Sequence, residues 1–83
     1  MKAEKWYVYI LKCADSTLYT GVTTDLNRRV DEHNHSSLGA KYTKPRRPVT
    51  LVYQEICENR TMATKREAEI KKMARKDKIE LCH

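Results

Sequence analysis

Glycine and proline are scarce in this chain, with two of each among 83 residues. Together with 40% hydrophobic and 34% charged residues, that scarcity excludes a disordered or low-complexity polymer and implies a chain that folds alone. Cysteine is equally sparse. Cys13, Cys57 and Cys82 are odd in number, far apart and without a CxxC pair, which excludes a disulfide framework and a zinc site and suits a reducing compartment. No apolar run approaches the roughly 18 residues that cross a bilayer. The opening Met1-Lys2-Ala3-Glu4-Lys5 also lacks the apolar core of a signal peptide, so a cytoplasmic protein without membrane contact is expected. A chain of this length has no room for a second module. One domain over residues 1–83, burying about 60% of its unfolded surface, is the expectation.

Acidic residues are outnumbered, 11 against 17 basic ones, for a net charge of +6. The imbalance is local: Lys41 to Lys78 holds twelve Lys and Arg against five Asp and Glu, and the remainder holds five against six. The C-terminal half therefore faces either a polyanion or plain water.

What the chain does have is a dense aromatic and β-branched N-terminus. Trp6 to Lys12 (WYVYILK) and Thr17 to Val22, punctuated by Asp15-Ser16, read as a hairpin. Gly21, near the end of the second strand, lets a backbone or phosphate come close because no Cβ stands in the way. Thr24 or Asp25 offers the N-cap of a helix near Asp25 to Asn34, with Leu26, Val30 and His33 as its inner stripe. His35 to Pro48 reads as a long ordered loop carrying Lys41, Lys44, Arg46 and Arg47. Val49 to Ile56 predicts a third strand. Asn59 or Thr61 then opens a second helix near Thr61 to Arg75, with Met62, Ala63, Ile70, Met73 and Ala74 inside. The order ββαβα predicts an α+β fold, a small three-stranded sheet flanked by helices.

On the first helix Arg29 lies about 60° from Leu26 and Arg28 about 160° from it, so Arg29 borders the core while Arg28 faces water. His33 lies about 20° from Leu26 and forms an i, i+4 pair with Arg29 on the same side.

The joint order of Tyr9, Tyr19, Gly21, Arg29 and His33, followed after a third strand by a glutamate-bearing helix, resembles the GIY-YIG endonuclease superfamily. The likeness runs from Trp6 to about Leu81 and rests on YVYILKCADSTLYTGVTTDLNRRVDEHN, on GAKYTKPRRPVTLVYQE, and on the AxxxExxIK of Ala63, Glu67, Ile70 and Lys71. It is nearest to the small stand-alone bacterial members. The resemblance implies that Tyr9 and Tyr19 are the tyrosines of the two motifs, Arg29 the helix arginine and Glu67 the metal-binding carboxylate. It also implies that His33 lies near the catalytic tyrosine. Periodicity alone leaves Glu67 and Glu69 equal, on opposite borders of the second helix's apolar face; the family pattern favours Glu67. The chain departs from that pattern in reading Tyr-Val-Tyr for Gly-Ile-Tyr, and in lacking an asparagine between Met73 and Leu81.

The resemblance further implies a metal-dependent endonuclease that hydrolyses DNA phosphodiester bonds in DNA repair or recombination. In that chemistry one Mg²⁺ or Mn²⁺, held by Glu67 and mostly by water, polarises the phosphate, and Arg29 offers it a bidentate fork. Tyr9 serves as base by family likeness and Tyr19 orients water or phosphate. A phenol of pKa about 10 needs lowering for that task, expected from Arg29 and the cation, with His33 accepting or relaying the proton. Lys41, Tyr42, Lys44, Arg46 and Arg47 would hold the backbone, with Tyr42 stacking on an unpaired base or packing over the core. DNA is the expected partner, with RNA kept open. The alternative is a catalytically weak nucleic-acid-binding module of the same fold, which metal-dependent cleavage would tell apart. A protein-interaction domain, the third reading, leaves the tyrosine, arginine and glutamate order without a reason.

Overall fold

The computed structural model describes residues 5–82. Strands β1 (Trp6–Lys12), β2 (Leu18–Thr23) and β3 (Thr50–Cys57) form one antiparallel sheet in the order β2-β1-β3. The central place falls to β1 because both of its faces are apolar: Val8, Tyr9, Ile10 and Leu11 are all buried, and successive side chains point to opposite sides. Val8 and Ile10, joined by Leu18, Val22 and Val52, pack on Ala63 and Ile70 of α2 (Arg60–Lys72). Tyr9 and Leu11, joined by Tyr19 and Leu51, meet Leu26 and Val30 of α1 (Leu26–His35) on the other face. Among the described residues the two outer strands, β2 and β3, each keep one unpaired edge.

Of the alternative caps, the chain uses Asp25, whose carboxylate accepts the Arg28 N–H at 3.0 Å, and Asn59, whose amide oxygen accepts the Met62 N–H at 2.9 Å. The loop after α1 is ordered by bonds back to that helix. The Asn34 amide accepts from the Val49 N–H at 2.7 Å and donates to the Val49 carbonyl at 3.0 Å. The Arg47 guanidinium donates to the carbonyls of Glu32, His33 and Ser36, which pins the loop across the C-terminal end of α1, where the Glu32 carbonyl also accepts the Ser36 N–H at 3.0 Å. Between these anchors Lys44–Arg46 makes one 3₁₀ turn.

The second helix corrects the sequence reading. It stops at Lys72, Met73 and Ala74 take extended backbone, and a further helix, α3 (Arg75–Leu81), follows. No glycine or proline marks the break, so periodicity runs straight through it. Its packing reason is that Leu81 and Cys82 return to the Val8 side of the core beside Met73. Met62 and Ala74, expected inside, are exposed, Met62 by 52%. Ala63 and Ile70 alone are fully buried on α2. The three cysteines are free thiols. No helix among the described residues is long and apolar enough to cross a membrane.

Candidate active site

Tyr9 and Gly21 face each other directly across β1 and β2, and this pairing allows the site to form. The Tyr9 ring lies over the glycine so closely that a Cβ added there would sit 2.5 Å from its hydroxyl oxygen and 2.7 Å from Cζ. Gly21→Ala should therefore displace Tyr9 and cost about 1–3 kcal/mol, as other overpacked sites do, measured by chemical denaturation.

The Tyr9 hydroxyl ends 2.9 Å from Nε2 of His33, which projects from α1 and is fully buried. The other ring nitrogen, Nδ1, lies 2.9 Å from the hydroxyl of Thr43, itself fully buried. Thr43 donates to the Ala40 carbonyl at 3.0 Å, which leaves its lone pairs for an Nδ1–H. Nε2 is then the acceptor of the Tyr9 proton. The Ala40 N–H also approaches Nδ1, at 3.4 Å, and calls for the opposite tautomer; the three shorter bonds decide against it.

Burial pushes the His33 pKa down to about 4, and the charges of Arg29 and Arg47 add to that while Glu32 opposes it. The ring is neutral at pH 7, as an acceptor must be. Burial also pushes Tyr9 up to about 12, against the pull of Arg29 and with Tyr19 and Glu67 on the side of burial. Arg29 alone therefore does not offset the lost water, and the expected lowering rests on Arg29 together with the cation.

Because His33 titrates lower folded than the roughly 6.5 of an unfolded histidine, the unfolded chain takes the proton first. The stability it contributes is complete above pH ~6.5 and is lost as pH falls toward 4. Denaturation midpoints across that window should decline, and His33→Gln should flatten the decline.

Arg29 is half-buried beside Tyr9 while Arg28 is exposed, as the helical wheel implies. Its guanidinium donates to Glu32 and to the Leu38 carbonyl, each at 2.9 Å, so it is held in place with donors to spare. Tyr19 meets the His33 ring edge-on at 5.2 Å and stacks on Tyr42 at 5.9 Å. The two glutamates part company. Glu67, 20% exposed, pairs with Lys71 at 3.1 Å, and its charge is felt at the Tyr9 hydroxyl. Glu69, 63% exposed, is tied to Arg66. Glu67 belongs to α2, on the opposite face of the sheet from His33, so the two faces converge around the free edge of β2.

The loop residues divide in the same way. Lys41 and Lys44 are exposed, and among the described residues neither forms an ion pair. Tyr42 is 39% exposed, with the Arg46 guanidinium 4.0 Å over its ring. Arg46 also bonds Asp15, and Arg47 is spent on the α1 carbonyls. Thr43 and Glu32 were absent from the sequence reading. Glu32 was discoverable as an i+3 partner of Arg29, whereas nothing in the local pattern marks a loop threonine as the partner of a helix histidine.

Whether a divalent cation suits this place can be judged from the donors. Among the described residues no three His, Cys, Asp or Glu side chains gather. One half-buried carboxylate with water and phosphate completing the shell is nevertheless the habit of Mg²⁺, and Glu67 provides that carboxylate.

Residues 5–80 match the family model of the GIY-YIG catalytic domain. The chain belongs to the GIY-YIG family. Its relatives within the family are small: it is 54% identical to a UPF0213 protein of Syntrophus aciditrophicus, covering 94% of this chain and 90% of that one. It is 56% identical to a UPF0213 protein of Staphylococcus aureus, with 94% of each covered. A Desulfotalea psychrophila relative, 58% identical, is longer, and this GIY-YIG chain spans 63% of it. Among solved structures, the UPF0213 protein of Bacillus halodurans aligns over 93% of this chain and 81% of that one, with 43% identity and a TM-score of 0.58. A protein of E. faecalis aligns over the same shares with 46% identity and a TM-score of 0.63. The three-stranded sheet with its helices is thus the GIY-YIG fold of small bacterial proteins, and the domain implies a nuclease acting on nucleic acid.

Proposed function

We propose that this protein is a metal-dependent endonuclease that hydrolyses DNA phosphodiester bonds. The observation that carries the reading is the Tyr9 hydroxyl, hydrogen-bonded to a neutral buried His33 while the charges of Arg29 and Glu67 both act on it. Tyr9 would take a proton from the attacking water as its own proton passes to Nε2 of His33, so neither a free phenolate nor a strong base is required beforehand. Tyr19 would orient the water or the phosphate. Arg29, already fixed by Glu32, would present its remaining N–H donors to the phosphate oxygens. Glu67 would hold one Mg²⁺ or Mn²⁺, which supplies charge neutralisation at the phosphate and leaving oxygen. Repair or recombination in the cytoplasm is the setting this activity suits.

The test is incubation of the pure protein with labelled DNA and RNA of several structures in Mg²⁺, Mn²⁺ or EDTA. Cleavage only with metal supports the reading; binding without cleavage in every metal supports a catalytically weak binding module instead. The raised pKa of Tyr9 is the observation on that second side.

Lys41 and Lys44 are the loop cations free to meet backbone phosphates. Substituting both by glutamine should weaken DNA binding and reduce the slope of log affinity against log salt by about 1–2, at ~0.9 per phosphate contact. Arg47→Gln should instead lower thermal stability, because it uncaps α1.

A further inference from the structure

A shallow groove of about 230 Å³ opens at the free edge of β2, lined by Leu18, Tyr19, Thr20, Tyr42, Lys71 and Lys78. Its two cations come from different helices. Lys71 follows Glu67 by one turn of α2, and Lys78 lies on α3, which the break at Met73 and Ala74 turns back against the sheet. Lys78 forms no ion pair among the described residues. The Lys71 ammonium, on a side chain 54% exposed, touches the Glu67 carboxylate at 3.1 Å. The lysine end of this pair is in water, so Lys71 keeps most of its solvation when it leaves the half-buried Glu67. An ammonium and a divalent cation also compete for one carboxylate. The groove thus offers two positive charges on one side, a tyrosine stack on the other and Tyr19 at their junction.

We propose that this groove is a second phosphate subsite, in which Lys71 and Lys78 grip the backbone phosphate next to the one at Tyr9, with the sugar and base against Tyr42. The inference rests on the nuclease reading of the adjacent site. Lys71 plays two parts in it: counter-ion to Glu67 in the free protein, and phosphate ligand once DNA draws it away. Engaging the backbone would then uncover the carboxylate that the cation needs.

The experiment measures affinity for a short labelled DNA duplex in EDTA over a salt series, for the whole chain and its Lys78→Gln, Lys71→Gln/Lys78→Gln and Lys76→Gln variants. Lys76 is exposed on α3 and lies outside the groove. The expected result is a salt slope smaller by about one in Lys78→Gln and by up to about two in the double variant, near 0.9 per lost phosphate contact, with Lys76→Gln close to unchanged. Mn²⁺ titration supplies a second readout: Lys71→Gln should bind Mn²⁺ several-fold more tightly without DNA, and Glu67→Gln should not bind it. If the unaltered protein binds and cuts DNA in a Glu67-dependent way while the lysine variants match Lys76→Gln, the subsite is overturned and the nuclease reading stands. If Glu67→Gln retains both Mn²⁺ binding and cleavage, the nuclease reading itself fails in its metal assignment.

Discussion

Glu67→Gln is expected to lower DNA cleavage by orders of magnitude while leaving DNA affinity in EDTA almost unchanged. Glutamine keeps the side chain's shape, so α2 should still pack through Ala63 and Ile70. What is removed is the charge proposed to retain a divalent cation, so the loss should fall on the chemical step. The Lys71 pair that also disappears is exposed on the lysine side and adds little to folding. Glu69→Gln is the internal control, because Glu69 is exposed and bound to Arg66 on the far border of the helix. A dead Glu69→Gln beside an active Glu67→Gln would move the metal ligand by two residues. Two fully active variants would remove the metal from the mechanism. Arg29→Ala, by contrast, should impair both cleavage and DNA binding, since in the proposed mechanism its guanidinium meets the phosphate directly.

Tyr9→Phe should be the other severe change, with cleavage down by about 10²–10⁴, the usual span for a lost proton-transfer group. Phenylalanine fills the same space over Gly21 and leaves Nε2 of the buried His33 without its hydroxyl partner, a loss of about 1–3 kcal/mol in stability. Melting curves therefore have to accompany the rates, which should be read well below the variant's midpoint. Tyr19→Phe supplies the comparison. Tyr19 contacts His33 and Tyr42 through its ring, so its fold should survive almost intact and its rate should fall less. A Tyr19→Phe protein slower than Tyr9→Phe would exchange the two roles.

Much of the architecture was legible because alternation and helical period act locally. WYVYILK reads as one strand of a hairpin, and Leu26, Val30 and His33 give the inner side of α1 without reference to the rest of the chain. Arg29 could be separated from Arg28 for the same reason. The break at Met73 and Ala74 was not legible, because no residue there forbids a helix and the cause is the return of Leu81 and Cys82 to the core. Nor was the fate of the loop arginines. Arg47 resembles a phosphate contact in sequence, and only the path of the loop across the end of α1 turns it onto three carbonyls. The pull of Arg29 on Tyr9 could be expected from sequence, but not how much water has left the ring.

The unpaired edge of β2 has a topological meaning. Tyr9 and Tyr19 lie on one face of the sheet and Glu67 on the other, and among the described residues the groove at this edge lies open to solvent. A polymer laid against such an edge has no need to be threaded and no need of a free end. For a phosphodiesterase built this way, a bond in the middle of a closed circle is as accessible as one at a terminus.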